Sequence, residues 1–91
     1  MNQIQLKNVL DILSQVTDLL YQENLKPAYM TLAAVLPQLE EVITGIKDED
    51  AQGELTEKLR DALGAMETGD NTLLADMLQY DIMEQLKEFE E

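Results

Sequence analysis

The chain has 91 residues, 45% of them hydrophobic, with 19 acidic side chains against six basic ones and no histidine or cysteine. That length bounds one domain, and a chain this small buries only roughly 60–65% of its unfolded surface. A formal net charge of −13 argues against nucleic-acid or anionic-membrane partners and favours a basic one. The missing His and Cys remove the commonest general base, the thiol nucleophile and most transition-metal ligands.

The charge is unevenly placed. Residues 1–37 carry Lys7 and Lys26 against Asp11, Asp18 and Glu23, whereas residues 38–91 set four basic residues against 16 acidic ones. The aromatics are only Tyr21, Tyr29, Tyr80 and Phe89, and leucine is abundant, a composition suited to a helical core. The opening MNQIQLKNVLDIL is interrupted by polar residues at helical spacing, unlike a signal peptide. No apolar run reaches the ~18–20 residues that span a bilayer. The default expectation is a soluble, cytoplasmic protein.

From Ile4 to Tyr21, apolar residues recur at Leu6, Val9, Leu10, Leu13, Val16 and Leu20, one face of a first helix. Gln22-Glu23-Asn24 breaks the pattern, and Asn24 can cap a second helix with Pro27 in its first turn. That helix repeats the spacing at Tyr29, Leu32, Leu36, Leu39, Ile43 and Ile46. Pro37 lies in its middle and predicts a kink near Ala33–Pro37, or a break into two shorter helices. Residues 45–53 read as a connection. Leu55, Leu59, Ala62, Leu63 and Met66 then mark a third, shorter helix, with Gly69 as its left-handed cap. Asp70, Asn71 or Thr72 can start a fourth helix running to about Phe89. The expected fold is all-α, a small antiparallel up-and-down four-helix bundle over residues 1–91.

DEDAQGEL, residues 48–55, resembles the start of a helix–loop–helix calcium site. Such a loop takes oxygen ligands at positions 1, 3, 5, 7 and 9, glycine at 6 and a bidentate Glu at 12. Counted from Asp48, the chain offers Asp50, Gln52, Gly53 and Thr56, but position 12 is Leu59, which lies on the apolar stripe of the third helix. The alternative is that Asp48, Glu49 and Asp50 start a helix, where the macrodipole favours negative charge. The second reading is preferred, so no metal site is assigned. Carboxylate pairs such as Glu40 with Glu41, or Asp76 with Asp81, offer a divalent-cation binder as a minor alternative. With one serine (Ser14), no P-loop and no GxGxxG pattern, neither an enzyme nor a cofactor is expected.

In the fourth helix, Leu74, Ala75, Leu78, Ile82, Leu86 and Phe89 form the core stripe. Leu73, Met77 and Tyr80 form a second stripe on nearly the opposite side, and Ile12 and Leu19 similarly lie off the main face of the first helix. These five residues are either wrapped by the bundle or form a contact surface, and the contact surface is the reading adopted. Gly69-Asp70, Leu74-Ala75-Asp76, Leu78 and Tyr80-Asp81 resemble an L-A-D-x-L-x-Y-E-like pattern in uncharacterised small helical proteins of Gram-positive Firmicutes. Some of those occur beside flagellar or cell-surface glycosylation functions. The resemblance covers about a quarter of the chain, with Asp81 where Glu is usual, and implies a helical accessory protein with no catalytic residue to transfer.

The expected function is therefore a non-enzymatic interaction module, an adaptor or export-chaperone-like protein. It would bind a basic or amphipathic helix through Leu73, Met77 and Tyr80, and form a homodimer through the same stripe where no other partner is present. A structural homo-oligomer without a separate ligand is the alternative.

Overall fold

The structure, a computed structural model, describes all residues 1–91 as four helices without strands. α1 spans Gln3–Tyr21, α2 Leu25–Thr44 and α3 Glu49–Glu67. The fourth helix is continuous but changes winding: α4 over Asn71–Asp76, a π-helix over Met77–Met83, and α5 over Glu84–Lys87. α1 packs most extensively on α2, and the fourth helix packs on both α1 and α3. Of the neighbouring pairs, α2 and α3 share the least extensive contact.

Local chemistry sets each boundary. Asn2 caps α1 by accepting from the Gln5 amide at 3.1 Å. Asp48 caps α3 by accepting from the Asp50 and Ala51 amides at 3.0 and 3.2 Å, with Glu49 and Asp50 in the first turn. The acidic stretch is thus a helix start. Only residues 45–48 connect α2 to α3, so Gly53 is helical, and α3 is as long as α1 rather than shorter.

Gln52 lies on α3 with its Nε2 donating to the carbonyls of Ile43 and Thr44 at 3.2 and 3.0 Å, more weakly to Ile46 at 3.4 Å. A residue placed in a calcium loop by spacing instead satisfies orphan carbonyls at the end of α2.

Gly69 (φ +76°) ends α3 in a Schellman motif, with Asp70 N bonded to Ala65 O and Gly69 N to Met66 O. The end of α1 repeats the motif without a glycine. Asn24 N bonds to Leu19 O, Glu23 N bonds to Leu20 O, and Glu23 adopts φ +59°. Asn24 begins α2 but makes no side-chain cap hydrogen bond. α2 passes through exposed Pro37 without breaking, so one helix replaces the two-helix alternative. The buried positions of α2 also shift: Ala28, Val35 and Val42 join Leu32, Leu39 and Ile43, while Tyr29 and Leu36 are half-buried at the rim.

The core is one cluster of 23 apolar residues drawn from all four helices and from Ile46 of the α2–α3 connection. Thr17 is the one buried polar residue beside it, with Oγ1 donating to Ser14 O at 2.9 Å. Every residue of the expected α1 stripe is inside it, as are Leu55, Leu59 and Ala62 of α3; Leu63 and Met66 are half-buried at its edge.

Candidate protein-interaction site

Asp70 fixes the start of the fourth helix, its Oδ1 accepting from the Leu73 amide at 3.1 Å. Leu74, Leu78, Ile82 and Leu86 follow at a constant spacing of four, and all are fully buried. An α-helix turns 100° per residue, so such a stripe would drift by ~40° at each step. The π-helix, bonded i→i+5, takes more residues per turn, and over its seven residues it offsets that drift. The winding therefore follows the spacing of the leucines. It also brings Met83 inward, where it is buried, a core position that α-helical periodicity does not assign.

The same winding redistributes the outer residues. The wider turn rotates Tyr80 away from the face of Met77. Met77 is half-buried and packed on the core, Leu73 is 41% exposed and Tyr80 is 61% exposed. Tyr80 lines a shallow groove between α3 and the end of the fourth helix, together with Glu54, Lys58, Asp81, Glu84 and Glu88. Gln85 ties this groove together: it accepts from Lys58 Nζ at 2.7 Å, and its Nε2 donates to Glu54 at 3.2 Å. Lys58 is the only cation in the groove, and its ammonium is already engaged by Gln85.

Ile12 and Leu19 belong to a different place. They share one edge of α1 with Gln5, whose Nε2 donates to Glu41 of α2 at 2.7 Å, and both are half-buried against the core. The opposite edge of α1 carries Tyr21, whose hydroxyl donates to Asp76 Oδ1 at 2.7 Å. The structure thus groups Leu73, Met77 and Tyr80 on the fourth helix and assigns Ile12 and Leu19 to the α1–α2 side.

Tyr21 was legible in the sequence only as the end of a helix, yet its phenol pKa is pushed up to about 12. The hydrogen bond to Asp76 is the largest cause, followed by desolvation and the negative charge of Asp76 itself. A phenol so held keeps its proton to higher pH than a free one. Tyr29 likewise reaches the start of the fourth helix, donating to Asn71 Oδ1. Nowhere do three Asp or Glu side chains converge in a way that could hold a metal ion. What the geometry offers is an exposed aromatic side chain bordered by carboxylates, with Leu73 and Met77 on an adjacent face of the same helix.

A family model described as a domain of unknown function, DUF8042, matches residues 4–91. The chain belongs to this family. The match takes in all four helices, so the family is defined by the whole bundle rather than by its last helix. No curated protein and no solved structure matches the chain. No helix of this DUF8042 domain is long and apolar enough to cross a membrane.

Proposed function

We propose that this domain is a non-enzymatic protein-interaction module, an adaptor or export-chaperone-like accessory protein. It binds a basic amphipathic helix of a partner on the outward face of its fourth helix. The observation that carries this reading is Tyr80, 61% exposed in a groove rimmed by Glu54, Asp81, Glu84 and Glu88. An aromatic face among carboxylates suits a lysine or arginine side chain through cation–π and charge attraction together. Met77 and Leu73, about one and two turns earlier, supply the apolar anchor that a helix laid alongside requires.

The test is calorimetric titration with a synthetic helical peptide of alternating leucine and lysine faces. Binding should weaken as salt rises, and Tyr80→Lys should reduce it at least tenfold more than Asn8→Lys, which adds the same charge on exposed α1. Equal loss in the two variants would reduce the effect to net charge and sink the site. Tyr80→Lys is a cleaner probe than Met77→Lys, because Met77 also packs on the core.

A further inference from the structure

The outer face of α2 differs from the rest of the surface. Between Lys26 and Glu40 there is no charged residue, in a chain where 27% are charged. Met30 is 65% exposed, and Ala33, Ala34 and Pro37 are exposed beside it. At 100° per residue these four lie on one face, opposite the buried Ala28, Leu32, Val35 and Leu39. Lys26 closes the face at its N-terminal end, and Glu40 and Glu41 close it at the other.

We propose that this face pairs with the same face of a second copy of the chain, in an antiparallel two-fold dimer whose axis passes between Ala33 and Ala34. About such an axis, Met30 of one copy meets Pro37 of the other, and the two Ala33–Ala34 pairs meet at the centre, small enough for the two backbones to approach. Lys26 and Glu41 each lie ~11 Å from the axis at 1.5 Å per residue, so each lysine faces Glu40 and Glu41 of the second copy. Glu41 gives one carboxylate oxygen to Gln5 and keeps the other. A parallel arrangement would instead set Lys26 against Lys26 and glutamate against glutamate. The strip is therefore complementary to itself in one orientation.

Charge also selects this face over the fourth helix. Pairing two copies through Tyr80 would bring Asp76, Asp81 and Glu84 against their own duplicates, and like charges so placed oppose association. Self-association thus moves to α2, leaving the fourth helix to a basic partner. The two assignments rest on separate surfaces, and either can fail alone.

Sedimentation equilibrium of the intact chain and its variants tests the dimer. Lys26→Glu should raise the dissociation constant on the order of tenfold, since each substitution is felt twice across the two-fold axis. Lys26→Glu combined with Glu40→Lys should restore it. All these positions are exposed, and thermal melting of dilute samples checks that the fold persists. Because the chain has no cysteine, Ala34→Cys gives an independent readout: mild oxidation should cross-link it to a dimer far more readily than Tyr80→Cys. A wild type that stays monomeric at millimolar concentration, an unaffected Lys26→Glu variant, or preferential cross-linking at Tyr80→Cys would each overturn the proposal.

Discussion

The Tyr21 hydroxyl at the end of α1 donates to the Asp76 carboxylate on α4 at 2.7 Å, joining residues 55 positions apart in sequence. The bond raises the phenol pKa from its ordinary 10.0 to about 12, which means that the folded state holds this proton more tightly than the unfolded state. Its stabilising contribution is complete below pH ~10 and is lost as pH rises through ~12. In a phenolate absorbance titration, one of the three tyrosines should ionise late. Asp76→Asn should return that group toward the ordinary range, and Tyr21→Phe should remove it. A late transition that survives both changes would contradict the assignment.

Glu23 occupies a left-handed conformation at φ +59°, where a side chain costs roughly 1–2 kcal/mol that glycine avoids. Glu23→Gly should therefore stabilise the protein by about 1 kcal/mol, seen as roughly 4–8 °C in melting temperature for a domain of this size. Gly69→Ala, at φ +76°, should cost a similar amount in the opposite direction.

Gly53 discriminates between the two readings of residues 48–55. A calcium loop needs glycine there for a sharp turn. The structure instead places it inside α3, with nothing within 4 Å of an added Cβ. Gly53→Ala should stabilise by ~0.5–1 kcal/mol, and Asp48→Ala should destabilise by ~1 kcal/mol through loss of the cap. Calcium should raise the melting temperature no more than magnesium does. A site with micromolar affinity would add about 2.7 kcal/mol at a hundredfold excess.

Only one ion pair forms, Lys87 with Glu84 at 3.4 Å, and both side chains are exposed. No other carboxylate has a cationic partner within ion-pair distance, so screening of their mutual repulsion should help the fold. Raising ionic strength from ~0.01 to ~0.15 M shortens the Debye length from ~30 to ~8 Å and should raise the melting temperature by several degrees. A fall would show that attraction outweighs repulsion.

The fold was readable wherever apolar spacing matched the α-helical period. The α1 stripe is the clearest case, since each of its six residues is buried. The Gly69 cap was readable for a different reason: only glycine occupies that conformation freely. What escaped were features that depend on a neighbour. Gln52 caps α2 from α3, and Tyr21 reaches across to Asp76, so neither leaves a periodic trace. In α2 the buried face is turned toward Ala28, Val35 and Val42, away from the stripe through Tyr29 and Leu36 that the spacing marks. The neutral run between Lys26 and Glu40 was visible in the sequence, but nothing in a linear reading marks it as solvent-facing. The outward position of Tyr80 was legible, whereas its separation from Met77 was not.

The π-helix amounts to one residue held in reserve. Remove Gln79 and close the helix with ordinary α geometry, and Leu74, Leu78, Ile82, Met83 and Leu86 fall at steps of four, three, one and three. That is the spacing of a single α-helical stripe. A chain shortened by one residue between Met77 and Met83 can therefore keep the same core lining, with the wide turn simply absorbed. α1 and α3 have no such slack, because their buried positions already fall at α-helical steps. Among members of this family, a length difference of one residue within a helix should be found in the fourth and not in these two.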